Sequence, residues 1–228
     1  MSMLRPAAEL AAEVSRPFPG DSPEYRAART RLLEEEIELR RHLERVAEMR
    51  RQLPPGGKPA DHRFIDEQGR EVGIADLFGQ HDTLITYFWM YGPQRQRPCP
   101  MCTNFLATLD GPAVDLTQRV ALAILGRSPV SRQLAFARER GWRNLRFHQA
   151  GDDFARAYRG LEDDGSESGV LDVWVRRDGE VRHFYAPELA GTQDPGQDPR
   201  GAPDDILWTM LDMTPGGRGT DWYPKLSY

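Results

Sequence analysis

Thr83-Leu84-Ile85-Thr86-Tyr87-Phe88-Trp89, the loop Met90 to Pro98, Cys99-Pro100-Met101-Cys102 and Thr103-Asn104-Phe105-Leu106-Ala107-Thr108-Leu109 form the stretch whose reading decides the fold. The first seven residues are an aromatic and β-branched run, bounded by Gln80-His81-Asp82 before and Gly92-Pro93 after. That pattern predicts a buried strand. The segment after the cysteines predicts a helix, stopped by Asp110-Gly111-Pro112. Pro100 stands just inside its start, where a missing N–H costs nothing. Cys99 therefore falls near the N-cap, where orphan N–H groups and the helix dipole favour a thiolate. Cys102, one turn further in, lies on the same side and is within reach of the first sulfur. A dithiol–disulfide centre requires this arrangement.

These are the only two cysteines among 228 residues. A C-x-x-C between strand and helix reads as a redox motif. The other readings are an inert structural pair and half of a zinc site. Structural zinc takes four ligands, and the histidines (His42, His62, His81, His148, His183) are scattered singly. Neither a metal nor a cofactor is expected. In the redox reading Cys99 is the nucleophile and Cys102 resolves the mixed disulfide by attacking it. Arg95 and Arg97 in the preceding loop would favour the thiolate. Arg127, with Ser128-Pro129 at the end of the next strand, would line the same mouth, because chemistry in open α/β sheets collects at the carboxyl ends of parallel strands. Trp89, Tyr91 and Trp142 read as core residues, with a substrate platform as the alternative for each.

Composition narrows the partners. The net charge is −5, which argues against a general nucleic-acid binder. No run approaches a membrane span, and Met1 to Pro6 lacks the apolar core of a signal peptide. Cytoplasmic residence with reduced thiols is the expectation, and the expected partner is a protein or small-molecule thiol or disulfide.

Outward from the central stretch, residues 1–22 read as a loosely held arm. Ser22-Pro23 opens a helix from Tyr25 to Gln52, with Ser22 as cap. Tyr25, Leu32, Leu39, Val46 and Leu53 recur every seven residues along a charged rod about 43 Å long. That stripe packs either on its own domain or across a homodimer. Residues 62–72 read as a hairpin turning at Gln68-Gly69, followed by a helical turn over 73–78. Arg119 to Leu125 predicts a second buried strand, parallel to the first. A helix from Ser128 to Arg140, a short strand Leu145–His148 and a short helix over 152–158 follow. A hairpin from Gly169 to Tyr185 turns at Asp178-Gly179, residues 191–203 read as loop, and the last helix spans Asp204 to Met213. The expected organisation is an arm and helix over 1–57, an α/β domain over 58–190 and a tail over 191–228. The fold class is an α/β three-layer sandwich with a mixed sheet, parallel in the centre and antiparallel at the edge.

On these residues the chain resembles the thioredoxin superfamily, with Phe88-Trp89 ending a strand ahead of the C-x-x-C. The hairpin and Asp76-Leu77 turn resemble the corresponding part of peroxiredoxin-type members. More closely, the chain resembles a bacterial family designated domain of unknown function 899. Ala75-Asp76-Leu77-Phe78, Met90-Tyr91-Gly92-Pro93, Cys99-Pro100-Met101-Cys102, Arg127-Ser128-Pro129, Gly141-Trp142 and Leu211 to Arg218 carry that likeness, which spans about residues 24 to 220. It implies a thioredoxin-like fold and says little of substrate. Several positions depart from the better-known patterns. Tyr87 stands where thioredoxin has a buried aspartate, Ser168-Gly169 where it has a proline, and Gln96 where peroxiredoxins have Thr or Ser. Thiol–disulfide oxidoreductase, thiol peroxidase and non-catalytic assembly module are the three functions these features admit.

Overall fold

The computed structural model describes residues 4–187, Asp198 and 206–226. The chain divides into two compact units, Met1–Pro54 and Pro55–Tyr228.

The first unit is a helical pair, α1 (Ala7–Val14) and α2 (Pro23–Arg51). Ser22 caps α2 as expected, its Oγ accepting the Tyr25 N–H at 3.1 Å. The loose arm expected over residues 1–22 is instead partly helical. Ala7 and Ala11 are small enough to let α1 lie close against Ile37 and Leu33 of α2. Ser15 Oγ and Thr30 Oγ1 hydrogen-bond at 3.0 Å, and the Arg41 guanidinium donates to the Arg5 carbonyl at 2.5 Å. The face that α1 covers is thus the Leu33–Ile37 face. The seven-residue stripe lies elsewhere on the rod, and its members Tyr25, Leu32, Leu39 and Leu53 remain exposed.

The second unit opens with β1 (Arg63–Ile65), β2 (Glu71–Gly73), α3 (Ile74–Leu77), β3 (Thr83–Phe88), α4 (Pro100–Asp110) and α5 (Ala113–Leu116). It continues with β4 (Ala121–Gly126), α6 (Val130–Arg140), β5 (Phe147–Ala150), α7 (Asp152–Ala157), β6 (Val170–Arg177), β7 (Glu180–Tyr185) and α8 (Ile206–Asp212). The start expected for the last helix, Asp204, and the expected loop over 191–203 apart from Asp198 lie outside the described residues.

Among the described residues one seven-stranded sheet runs in the order β2-β1-β5-β4-β3-β6-β7. β3 pairs parallel with β4, and β4 with β5, while β1 and β6 pair antiparallel on either side. This is the expected mixed sheet. The β1–β2 hairpin turns at Gly69 (φ 77°), with the Asp66 carboxylate accepting the N–H groups of Gln68 and Arg70 at 2.9 and 2.8 Å. The third parallel strand begins two residues later than expected, because register with β4 (Ile124↔Phe147) and β1 (Phe64↔Ala150) fixes it. Leu145 is buried just ahead of it.

Helices cover both faces of the sheet, giving three layers. Phe64, Phe78, Leu84, Phe88, Phe154 and Trp174 fill one side. Tyr87, Trp89, Leu106, Ile124, Phe136 and Phe147 fill the other, which also holds Cys102. At the outer edge, the chain at Gly56–Lys58 runs along β7. The His183 N–H donates to the Gly57 carbonyl at 2.9 Å, Arg182 donates to the Gly56 carbonyl at 3.1 Å, and Lys58 pairs with Glu180. A Cβ at position 56 would lie 2.1 Å from the His183 carbonyl oxygen, so only glycine allows this approach.

Candidate active site

β3 ends at Phe88, and Trp89 continues it with its N–H on the Leu125 carbonyl at 2.9 Å. The nine residues to Cys99 then form a loop held from several directions. The Met90 carbonyl accepts the Cys99 N–H at 3.1 Å and the Tyr91 carbonyl accepts the Ser128 N–H at 3.0 Å. Arg132 of α6 donates to the carbonyls of Arg95, of Gln96 at 3.0 Å and of Gly92 at 3.4 Å, while its guanidinium lies over the Tyr91 ring. Cys99 is thereby delivered to the N-cap of α4, with Pro100 as first helical residue.

The two sulfurs have opposite environments. Cys99 is half-buried and Cys102 is buried, and both are free thiols. The Cys99 thiol is lowered to about 6 by the hydrogen bond from Cys102, by the backbone N–H groups of Cys102 and Met101, and by the nearby Arg95, all against the opposing effect of burial. Cys102 moves the other way. Its hydrogen bond to Cys99, its burial and the charge on Cys99 push it well above the ordinary thiol value, while the Met90 N–H and the Tyr87 hydroxyl pull against that rise. The pair is thus one thiolate with one proton held beside it.

Glu167 organises the rest of the mouth. Its side chain is 5% exposed; it accepts from the Gly92 N–H at 3.0 Å, Arg95 Nε at 3.0 Å and Arg127 at 3.1 Å. Arg127 also donates from Nε to Asp152 at 2.8 Å. Arg95 and Arg127 therefore meet on one carboxylate. Arg97 does not join them: its guanidinium grips Glu139 and lies over the Phe136 ring. Trp89 is fully buried, with Nε1–H donating to Gln133 Oε1 at 3.0 Å, so it acts in the core and offers no platform. The Gln133 amide in turn donates to the Gly126, Ser128 and His148 carbonyls at 3.2, 2.8 and 3.1 Å, fixing the loop that carries Arg127.

Sequence reasoning missed Glu167 and the contact of Tyr87. Glu167 sits in a run of Asp, Gly and Ser that reads as solvated loop, and its signal would have been a burial that no local pattern shows. Tyr87 reads as a strand aromatic, and the resemblance marks only that it replaces a buried aspartate, not that its hydroxyl meets Cys102. Gly169 lies against this corner as well, since a Cβ there would be 3.0 Å from the Tyr87 hydroxyl and 3.3 Å from Cys102 Sγ. Among the described residues no peptide bond is cis.

Strand order, the β3–loop–α4 unit and the dithiol at the helix start together define a thioredoxin-like α/β protein. The chain belongs to the family described as a bacterial protein of unknown function (DUF899), whose profile matches residues 15–228. No curated protein matches the sequence. Among solved structures it is similar to a peroxiredoxin-like protein from Aquifex aeolicus, at 12% identity over 59% of this chain and 75% of that one, with a TM-score of 0.42. The exposed lipoprotein thioredoxin Etrx1 of Streptococcus pneumoniae matches at 14% identity over 68% of this chain and all of its own, with a TM-score of 0.41. BsSco, a member of the Sco family of cytochrome c oxidase assembly proteins, matches at 15% identity over 59% and 86%, with a TM-score of 0.41. Among the described residues no helix is long and apolar enough to cross a membrane.

Proposed function

We propose that the protein is a thiol–disulfide oxidoreductase acting on a protein or small-molecule disulfide, with Cys99 as nucleophile and Cys102 as resolving thiol. The observation that carries this reading is the asymmetry of the pair: a half-buried sulfur lowered to about 6 beside a buried sulfur that keeps its proton. An inert pair would have both thiols raised by burial. Exchange needs one thiolate to attack and a second thiol held in reserve.

The reading makes a pH prediction. A thiol lowered to about 6 is half ionised there and almost fully ionised at neutrality. Iodoacetamide modification of Cys99 should therefore rise with pH to a plateau by about pH 7, and fall tenfold per unit below the midpoint, because only the thiolate reacts. A midpoint near the free-thiol value of ~8.5 would remove the basis for the proposal. Hydrogen peroxide serves as the control substrate: rapid sulfenate formation on Cys99 without disulfide exchange would identify a thiol peroxidase instead.

We infer further that the uncovered stripe of α2 pairs with a second copy of the chain. Tyr25, Leu32 and Leu39 are each more than half exposed, at 54%, 53% and 58%. Large apolar residues repeated along one line of a charged helix favour self-association over solvent. Light scattering is expected to report a dimer for the wild type and a monomer for the Leu32→Glu/Leu39→Glu double variant, with Cys99 modification unchanged. A wild-type monomer at tens of micromolar would end the inference.

A further inference from the structure

We propose that Tyr87 is a catalytic residue of the second, intramolecular step, its hydroxyl donating a hydrogen bond to the Cys102 sulfur as that sulfur becomes the attacking thiolate. This rests on the oxidoreductase reading above. The geometric basis is a closed corner beneath the dithiol. Tyr87 and Cys102 are 5% and 3% exposed. The tyrosine hydroxyl and Cys102 Sγ share the space that Gly169 leaves by having no side chain, at 3.0 and 3.3 Å from where a Cβ would sit. The Tyr87 ring is fixed against Phe105 of α4, with centroids 4.6 Å apart, and by the register of β3 with β6 (Tyr87↔Leu171). The phenol therefore has little freedom to leave the sulfur.

The groups around Cys102 act in sequence. At rest the Cys102 thiol donates to the Cys99 thiolate, and that bond and charge hold its proton in place. Cys99 then attacks a disulfide R–S–S–R′, forming Cys99–S–S–R and expelling R′–S⁻. Cys99 is now neutral, so the two influences that protected the Cys102 proton are gone. What remains is burial, opposed by two donors, the Met90 N–H and the Tyr87 O–H. Cys102 gives up its proton, its sulfur attacks Cys99 Sγ, and the bond to R breaks. R–S⁻ leaves, and the proton lost by Cys102 goes to R–S⁻ when that is a basic alkyl thiolate, or to solvent when it is an aromatic thiolate that stays ionised. The dithiol has been oxidised by two electrons and the substrate disulfide reduced by two. A buried thiolate with only one donor is poorly stabilised. Tyr87 supplies the second, and it supplies it when the first cysteine has been consumed. The same hydroxyl would stabilise Cys102 as leaving group when the disulfide is reduced again.

The test uses the full chain and an aromatic disulfide, 5,5′-dithiobis(2-nitrobenzoate), in stopped flow. Each step releases one coloured thiolate: the first reports attack by Cys99, the second resolution by Cys102. In the Tyr87→Phe variant the first phase is expected to match wild type and the second to slow about 10- to 100-fold, the range for losing a hydrogen bond to a charged group. The pH midpoint of the second phase should move upward, which a merely structural role would not produce. Gly169→Ala, whose methyl presses on both partners, should also slow the second phase selectively. A second phase at the wild-type rate in Tyr87→Phe overturns the assignment of Tyr87, and so does equal slowing of both phases. A wild-type protein that releases no second equivalent overturns the oxidoreductase reading itself.

Discussion

Cys99→Ser is expected to reduce disulfide-exchange turnover to the uncatalysed background, while Cys102→Ser should stop the reaction one step later with the substrate still attached. The first variant removes the sulfur at the open end of α4. At neutral pH a thiol lowered to about 6 is ionised about 90% of the time, against about 3% for a free cysteine, so the site offers about thirtyfold more thiolate. Cys102 is too buried to substitute for it. The serine at position 102 can still donate to the Cys99 thiolate, so the nucleophile survives but nothing resolves the product. Incubating Cys102→Ser with a cell extract and separating proteins without reductant should therefore yield stable mixed disulfides, identifiable by mass spectrometry. Cys102→Ala adds a further expectation. The thiol hydrogen bond is the largest influence lowering Cys99, so its loss should raise the alkylation midpoint by about one pH unit. Equal turnover in wild type and Cys99→Ser would remove the dithiol from the mechanism.

The second large effect concerns the carboxylate that gathers the mouth. Glu167→Ala is expected to lower unfolding free energy by about 3–5 kcal/mol, the cost of leaving a buried ion unpaired. Of the two arginines left behind, Arg127 is the buried one, with a side chain only 9% exposed, and the Gly92 N–H loses its acceptor as well. Asp152 still holds Arg127 through Nε, which sets the loss toward the lower end of that range. The melting temperature should fall by about 6–20 °C, given the size of the second unit. Arg95 is the weakest of the influences on Cys99, so the alkylation midpoint should move little while stability drops. A loss below about 1 kcal/mol in chemical denaturation would mean that Glu167 is an ornament of the loop. A large upward shift of the Cys99 midpoint would mean that Arg95 matters more for the thiolate than its position suggests.

What could be read in advance follows the range of the interactions. The strands Thr83–Phe88 and Ala121–Gly126, the hairpin at Gly69, the Ser22 cap and the start of α4 at Pro100 are set by neighbours a few residues away, so periodicity and turn chemistry reveal them. The helix α1 was not legible because its contact residues are alanines, which carry little hydrophobic signal, and prolines surround it. The start of β5 is not legible locally because sheet register, a property of β1 and β4, decides it. The cysteine pair was visible from spacing alone. Its surroundings were not: Glu167 meets Gly92 across 75 residues, and Arg97 finds Glu139 across 42. Both arginines of the loop look alike in sequence, and only packing sends one toward the thiolate and the other toward α6.

The glycine pair at 56–57 bears on how this molecule behaves in a crowded solution. Among the described residues β7 is the terminal strand of the sheet, and such a margin invites stacking by any passing extended chain. Here the polypeptide's own approach to the domain shields part of that margin, and the bare backbone at Gly56 permits the close fit. A bulkier residue at 56 would push the shield away, and the first symptom to look for would be precipitation on storage, with the dithiol untouched.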